Sequence, residues 1–359
     1  MRPDAAVTPW ALAPVKLRRG GPVTVPRRHA PLARALPYRR AAGEPPPPSG
    51  GAQAGRGGWT VNLGDRGLGD TLLALALARA LAEGTGNREL RYEGPRPRLM
   101  ERCTLNMTAA RRPGPHTVQA GPGVSLAVAA VPEEPCAWLD ILDDEHAEVH
   151  AALPMRYYLA AEQALGVRLP ADRAPAPAFT SAGHEDPFHV VFVTATSRPG
   201  RKDYGTAGYT AVARAIQARY PAPWTFTVIA GTGTRPVTAD GIAVLPGPDA
   251  VDCLDLFASA RLVIGNDTGL THLAALTERR DGTGPQVIGL YGRHAYNKWT
   301  TGASRHHAVA TPFSQMLALA DRCPVRDHLD DTAWAESASL PALPPGDIAA
   351  FALQVTGLR

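Results

Sequence analysis

Short apolar runs alternate with segments of helical periodicity along most of the chain. The first run starts at Trp59 and ends in a glycine loop, which leads into a helix expected from about Thr71 to Leu81. The run from His189 to Thr194 is almost continuously apolar, as in parallel strands covered on both faces. Strands that alternate with helices favour an α/β fold. Further strands are predicted at 89–92, 125–131, 224–229, 242–245, 262–265 and 286–290, and further helices at 155–165, 209–220, 250–259, 270–276 and 347–358.

A proline-rich stretch at 169–177 separates two such patterns, because closely spaced prolines prevent a helix from continuing. The predicted architecture is therefore two Rossmann-like units with a linker between them. The expected boundaries are 1–57 for an N-terminal extension, 58–169 for the first unit, 170–186 for the linker, 187–330 for the second unit and 331–359 for a C-terminal segment.

The extension combines proline, glycine and arginine, with four consecutive prolines at 45–48. This composition is typical of an extended or disordered arm. An alternative is that residues 22–26 pack onto the body of the protein as a short strand. The extension also holds ten of the 37 basic residues and two of the 33 acids, which leaves 27 basic and 31 acidic residues for the body. Because acidic residues slightly outnumber basic ones in residues 58–359, this part of the chain is not expected to bind nucleic acid.

Other features exclude further classes of protein. The longest apolar run, from Leu72 to Leu81, contains Arg79 and is shorter than the roughly 20 residues of a membrane-spanning helix. The four cysteines have neither C-x-x-C spacing nor the density of a disulfide framework. We therefore expect a cytoplasmic protein without a membrane span, a zinc site on cysteines or a disulfide framework. No cofactor is assigned, and the oligomeric state is left open.

The most informative segment runs from Leu262 to Leu276, where an apolar strand gives way to a polar glycine turn and then to a helix. Backbone N–H groups at such a helix start can bind a phosphate, helped by the helix dipole. Asp267 or Thr268 could instead simply cap the helix. His272 lies about one turn beyond Thr268 and therefore on the same helix face.

These residues resemble the D-[ST]-G-x-x-H-x-A-A signature of glycosyltransferase family 9, the bacterial heptosyltransferases. Residues 67–81 are similar to the family's N-terminal G-D-x-L element, and residues 287–292 to its V-x-x-L-[FY]-G strand. The resemblance implies a GT-B fold, in which two Rossmann-like domains face each other across a cleft and the final helix returns to the N-terminal domain. It also implies inverting, metal-independent transfer of a sugar, with heptose expected, from an ADP-linked donor to a hydroxyl.

Asp70 is the candidate general base, since inverting transfer needs a group that takes the proton of the acceptor hydroxyl. By itself, Asp70 would be interpreted as a helix cap. With the resemblance, it aligns with the catalytic aspartate of the family. Asp65 is the local competitor, although a solvated turn aspartate is the default interpretation there.

The loop from Thr194 to Tyr204 concentrates cations and hydroxyls after a strand, where a leaving diphosphate could be neutralised. Lys202 aligns with a basic residue of the family, and the chain contains only two other lysines. Arg201 could equally be a surface cation that contacts solvent and not the diphosphate. The donor and its phosphates are accordingly assigned to Thr196, Arg198, Lys202, Asp267, Thr268, Gly269 and His272.

The sequence also departs from the family. Where the family holds the ribose with a glutamate, this chain has Gly231 to Arg235, so Thr232 and Thr234 are candidate nucleotide contacts. A longer, more polar loop occupies 277–285, and Asp203-Tyr204-Gly205 replaces a tryptophan-proline pair.

A further group of polar and aromatic residues follows the strand that ends near Gly292. These residues either contact the nucleotide base or the sugar, or form an ordinary polar loop: His294, Tyr296, Asn297, Lys298 and Trp299. His306 and His307 are not expected to form a metal pair, because neighbours on a strand point to opposite faces.

Several functions remain open. Arginine far outnumbers lysine, which suggests a GC-rich genome and a small polar acceptor in the biosynthesis of an aminoglycoside or nucleoside antibiotic. A lipopolysaccharide-type heptosyltransferase is an alternative. An epimerase of GT-B shape is less favoured, because the first unit offers Asp70 alone. A catalytically silent nucleotide-sugar-binding partner protein is the remaining alternative.

Overall fold

The protein is described here by a computed structural model. It describes residues 14–17, 21–24, 59–62, 67–85, 90–109, 117–119, 125–127, 154, 176–232, 238–239, 241–320 and 336–358. Near the N-terminus, strands β1 (Pro14–Leu17) and β2 (Gly21–Thr24) pair antiparallel with each other. The strand considered for residues 22–26 thus forms in part, but its ladder is with β1 and not with either main sheet.

The first α/β unit is built on a five-stranded sheet. Its strand order is β5-β4-β3-β6-β7, in which β3, β4 and β5 are parallel and β6 and β7 are antiparallel additions. The elements are β3 (Trp59–Asn62), α1 (Leu68–Thr85), β4 (Leu90–Glu93), α2 (Pro97–Met100), β5 (Met107–Ala109), β6 (Thr117–Gln119) and β7 (Ser125–Ala127). The helix predicted at 155–165 lies outside the described residues.

The second α/β unit has a seven-stranded sheet. It is parallel throughout except at one edge, where the short β11 is antiparallel. The strand order is β11-β12-β10-β9-β13-β15-β16. The elements are β8 (Phe179–Thr180), β9 (Asp186–Val193), α3 (Pro199–Lys202), α4 (Thr206–Arg219), β10 (Thr225–Ala230), β11 (Thr238–Ala239), β12 (Ile242–Pro246), α5 (Cys253–Ser259), β13 (Ala260–Asn266), α6 (Gly269–Leu276), β14 (Thr277–Glu278), β15 (Gln286–Tyr291), β16 (His306–Ala310), α7 (Pro312–Ala320) and α8 (Pro345–Val355).

The apolar run of β9 explains why this strand lies near the centre of the sheet. Successive side chains of a strand point to opposite faces. Val191 and Val193 therefore pack into one core, with α1, α5 and α6, while Val190 and Phe192 pack into another, with α4 and α8. The α/β class and the Rossmann-like second unit are confirmed.

Helix α1 packs against α6, and the two units share one apolar core at this point. Leu72 and Leu75 of α1 are fully buried in the same cluster as Leu273 and Leu276 of α6. This packing places the starts of the two helices side by side.

Several helix boundaries differ from the sequence predictions, and two of them concern aspartates considered as helix caps. Helix α1 begins three residues early, because the N–H of Thr71 already donates to the carbonyl of Gly67 at 3.0 Å. Asp70 therefore lies in the first turn of the helix and is not its cap. Helix α8 begins at Pro345, where the ring presets a helical φ, so Asp347 also lies in the first turn and makes no capping bond.

The expectation that the last helix returns to the first unit is wrong. Helix α8 packs against α4 of the second unit. Its apolar face, with Ile348 and Ala352, is buried with Val190 and Phe192 of β9. The physical reason is that α4 leaves one face of the seven-stranded sheet incompletely covered, and α8 completes that layer.

Candidate functional site

The turn between β13 and α6 is extended and tightly bonded from within. Thr268 has extended backbone angles and caps α6 without a side-chain bond. Thr271 donates instead from its Oγ1 to the carbonyl of Asn266, at 2.7 Å. Neither Asp267 nor Thr268 caps the helix through its side chain, so the capping alternative for this turn is wrong.

Asp267 points into a cluster of basic side chains. Its Oδ2 accepts from Lys202 Nζ at 2.8 Å and from His294 Nδ1 at 3.2 Å. Its Oδ1 lies 3.6 Å from His272 Nε2. Only 4% of the Asp267 side chain is exposed. One buried carboxylate thus organises three basic groups, which come from three separate segments of the chain.

The electrostatic consequence is a stably ionised Asp267. Burial alone would raise the pKa of this carboxyl, but the Lys202 charge, the nearby His272 imidazole and the hydrogen bond from His294 outweigh burial. The pKa of Asp267 is therefore held well below its usual range. Asp267 is an anion at every pH at which an enzyme of this kind would work.

Asn266 fixes the loop that carries Lys202. Its Oδ1 accepts from the backbone N–H of Tyr204 at 3.0 Å and from the Tyr209 hydroxyl at 2.9 Å. Its Nδ2 donates to the carbonyl of Thr194 at 3.1 Å and contacts Asp203 Oδ1 at 3.3 Å. The loops after β9 and β13 are therefore joined through one buried amide. The role of Asn266 was not anticipated, although it lies inside the segment that the sequence marks as informative.

Lys202 ends the short helix α3 and is only 19% exposed. Its Nζ lies 5.9 Å from the centre of the Trp299 ring, within reach of a cation–π interaction. Arg198 is exposed at the start of α3, and its backbone N–H is bound by Thr196 Oγ1 at 3.2 Å. Of the two cations expected to hold phosphates, Lys202 thus contacts Asp267, whereas Arg198 is exposed.

Asp70 lies next to the α6 start. A Cβ at Gly69 would lie 3.3 Å from the His272 ring, and a Cβ at Gly269 would lie 2.5 Å from the Gly69 backbone nitrogen. The first turns of α1 and α6 are therefore in backbone contact, with Asp70 partly buried beside them. Asp65 lies outside the described residues.

Two residues of the loop after β15, His294 and Lys298, are more buried and make more contacts than expected for an ordinary polar loop. His294 packs its ring edge against Trp299 at 5.6 Å besides contacting Asp267. Lys298 is fully buried and is thus not a surface lysine. Tyr296 and Asn297 are partly buried, and the Asn297 amide nitrogen lies 3.4 Å from the Ala318 carbonyl.

His306 and His307 point to opposite faces of β16, as predicted. The Nδ1 of His306 accepts from the Thr301 backbone N–H at 3.2 Å, whereas His307 Nε2 contacts Gln286 at 2.9 Å. Among the described residues, no three histidines, cysteines or acids come together as a group that could hold a metal ion. No described helix is both long and apolar enough to cross a membrane.

The structure also describes part of the other segments in which the sequence departs from the family pattern. Thr232 is exposed after β10, beside Gly247 after β12, and Thr234 lies outside the described residues. The polar loop at 277–285 serves the fold. Its Arg279 is buried and donates to the carbonyls of Ala258 at 2.7 Å and Ala260 at 2.8 Å.

Comparisons with known proteins agree with the motifs. The sequence model of glycosyltransferase family 9 (heptosyltransferase) matches residues 147–327, about half of the chain. The match includes Lys202 and the turn between β13 and α6 but not Asp70. A comparison with curated proteins finds no match.

Several solved structures resemble the protein at low identity. E. coli heptosyltransferase WaaC with ADP is 13% identical, with 82% of this chain and 98% of that chain covered and a TM-score of 0.48. E. coli ADP-heptose lps heptosyltransferase II is 11% identical, with 83% and 98% covered and a TM-score of 0.49. The iron-containing dodecameric glycosyltransferase TibC from enterotoxigenic E. coli is 14% identical, with 83% and 78% covered and a TM-score of 0.49.

The family assignment rests on the sequence match and on the motif residues that the structure gathers around Asp267. The two α/β units are the architecture expected of such an enzyme. The chain belongs to glycosyltransferase family 9 and is a divergent member of it.

Proposed function

We propose that the protein transfers a sugar, with heptose expected, from an ADP-linked donor to a hydroxyl of a small polar acceptor, with inversion and without a metal. The observation that carries this proposal is the meeting of two helix starts beside the Asp267 cluster. Helix α1 brings Asp70, and α6 brings the backbone N–H groups of its first turn and His272. In this proposal, the general base Asp70 thus lies next to the helix start that would bind the phosphates.

The proposed reaction is a single displacement. As the acceptor oxygen attacks the anomeric carbon, Asp70 takes the proton of the attacking hydroxyl, and the bond to the diphosphate breaks on the opposite side of the sugar ring. One displacement inverts the anomeric centre. Negative charge grows on the leaving ADP during this step.

The leaving group would be stabilised by groups already in place. Lys202, Arg198 and the N–H groups at Thr268 and Gly269 supply positive charge and donors. Because Asp267 holds Lys202 at 2.8 Å, little reorganisation of the cation is needed when the charge develops. Fixed cations could thus do what a divalent metal does in other active sites.

The rest of the donor would lie across the second unit. We propose that Asp267 and His272 set the position of the sugar and its phosphate, with Thr196 at the phosphates. Thr232 and Thr234 remain candidates for the nucleotide, because both follow β10 in the sequence. We place the enzyme in the cytoplasm, and the free thiols of Cys103, which is partly buried, and Cys253, which is buried, are consistent with a reducing compartment.

The deciding experiment compares the parent protein with Asp70→Asn. ADP and ADP-heptose binding are measured by calorimetry, and release of ADP is measured with panels of aminocyclitol, nucleoside and lipopolysaccharide-core acceptors. We expect donor binding to persist in the variant while turnover falls by about 10²- to 10⁴-fold, the usual contribution of a general base. Transfer to the lipopolysaccharide core alone would select that acceptor class. Donor binding without turnover by the parent protein would show a silent binding protein instead.

A further inference from the structure

We propose that His294 is a positioning residue for donor binding, which acts through Asp267 and Trp299 to hold Lys202 where the donor's diphosphate would bind. The inference rests on the proposed function, since it concerns the same anion site. His294 follows β15 and lies outside the D-[ST]-G-x-x-H segment and the loop of Lys202.

Lys202 and three other side chains form a closed ring of contacts. Lys202 and His294 share the same oxygen, Asp267 Oδ2. His294 packs edge-on against Trp299 at 5.6 Å, and Lys202 Nζ lies 5.9 Å from the centre of that ring. The ring Lys202–Asp267–His294–Trp299 therefore fixes the ammonium from two sides, by the carboxylate and by the indole face.

The position of His294 is itself determined by the helix that follows. Its carbonyl accepts from Ser314 Oγ at 2.6 Å, and the neighbouring Gly292 carbonyl accepts from Thr311 Oγ1 at 2.6 Å. Both hydroxyls belong to the start of α7 and are buried. The loop that carries His294 is thus anchored independently of Lys202 and Asp267.

This geometry determines what removal of the imidazole would do. Asp267 is almost fully buried, and a buried carboxylate needs donors on both oxygens. Without His294, Lys202 is the remaining donor to Oδ2 and is drawn more completely onto that oxygen. The Lys202 ammonium is then less available to a phosphate. The Trp299 ring also loses the imidazole that packs against it.

The hydrogen bond runs through Nδ1 of the imidazole, which allows a conservative replacement. The amide nitrogen of asparagine reaches about the same place as Nδ1, whereas that of glutamine reaches about the place of Nε2. His294→Asn therefore keeps a donor for Asp267, and His294→Ala removes it. His307 offers a matched control, because it lies nearby in the chain but contacts Gln286 and Phe351 on another face.

The first test measures ADP affinity by calorimetry for the parent, His294→Ala, His294→Asn and His307→Asn, each checked for folding by thermal melting. We expect His294→Ala to weaken ADP binding by about tenfold or more, as for a lost hydrogen bond to a charged group. His294→Asn should recover most of the affinity, and His307→Asn should bind as the parent does. In turnover assays, the loss should appear both in KM for the donor and in kcat, because Lys202 also stabilises the charge that develops on the leaving diphosphate.

The second test monitors the NMR signal of the Lys202 side chain and needs no ligand. The chain has three lysines, so lysine labelled with ¹⁵N in the side chain gives few NMR signals, and Lys202→Arg identifies the relevant one. We expect that signal to shift in His294→Ala and to return towards the parent position in His294→Asn.

The outcomes separate the two proposals. Parent-like ADP binding and an unmoved Lys202 signal in folded His294→Ala would overturn the positioning role. Equal weakening in His294→Ala and His294→Asn would also overturn it, because the Nδ1 donor would then be irrelevant. If the parent protein binds no ADP while the Lys202 signal still responds as expected, the donor assignment fails and the ring of contacts stands.

Discussion

Gly69 and Gly269 bring two α/β units into backbone contact, since a Cβ on Gly269 would lie 2.5 Å from the Gly69 nitrogen. The contact joins the first turns of α1 and α6. It therefore sets the distance between Asp70 and the proposed anion site at Thr268. Four substitutions test this contact and related features of the fold.

Gly269→Ala should push the two helix starts apart. The added methyl would collide with Gly69 and Leu68, and overpacking of this kind costs about 1 to 3 kcal/mol. We expect a lower melting temperature and a larger loss of transfer activity than of ADP binding, because α6 itself stays intact.

Gly200→Ala is the control for that substitution. A Cβ there would meet no atom within 4 Å, and alanine is a better helix former than glycine. Its melting temperature should be unchanged or slightly raised. Parent-like stability and activity of Gly269→Ala would show that the close contact is not required.

Lys202→Met should destabilise the protein in a pH-dependent way. It removes the cation from a buried carboxylate, a loss typically worth about 3 to 5 kcal/mol. Because the folded pKa of Asp267 lies below its unfolded value, its stabilising contribution is complete above about pH 4 and disappears as the pH falls further.

The measurement is thermal or urea unfolding of the parent and Lys202→Met between pH 3 and pH 7, a range set by the unfolded carboxyl pKa of about 3.9. We expect the two proteins to differ most near neutral pH and to converge in acid. A difference that is constant over this range would mean that Asp267 is not the group responsible.

His189 should make the protein less stable in mild acid. Burial lowers its pKa, while Asp186 opposes the shift, and the ring contacts Ser259 Oγ at 3.1 Å and Thr227 Oγ1 at 2.9 Å. The unfolded chain therefore takes up a proton first as the pH falls below about 6.5, so stability decreases. Urea unfolding from pH 7.5 to pH 5 should show a shallower dependence for His189→Gln.

His307 gives a second, independent contribution of the same sign, because burial lowers its pKa as well. The double variant with His307→Gln should therefore flatten the pH dependence further. An unchanged slope in both variants would contradict the assignment of acid sensitivity to these buried imidazoles.

Asn266→Asp should be costly although it changes the shape of the side chain very little. The new carboxylate would lose the donor to the Thr194 carbonyl and would face Asp203. It would keep the Tyr209 hydroxyl as a donor, since burial, reinforced by Asp203, raises the pKa of Tyr209 well above its usual value. We expect a loss of at least about 2 kcal/mol in unfolding free energy.

Asn297→Asp is the matched comparison for that change. Among the described residues, the Asn297 amide nitrogen makes one long contact, at 3.4 Å, to the Ala318 carbonyl, and its amide oxygen is buried without a hydrogen-bond partner. Its substitution should cost less than the one at Asn266. Equal losses at the two positions would show that the bonds around Asn266 are not what joins the loops after β9 and β13.

The local features of this protein were predictable because they depend on nearest neighbours in the chain. The apolar run of β9, the strand, turn and helix around Asp267, and the opposite directions of His306 and His307 all follow from the period of a strand or helix. The residues in the family motifs followed in the same way, since their order is a property of the sequence alone.

The contacts between distant segments were decided by the tertiary structure. Lys202 is 65 positions from Asp267, and His294 is 27 positions from it, so no periodicity links them. Local pattern likewise says only that α8 is amphipathic, and the open face beside α4 decides where it packs. The sequence by itself determined which groups could carry charge and where strands end. Packing within and between the two units determined which of those groups meet, because burial and pairing energies depend on neighbours in space.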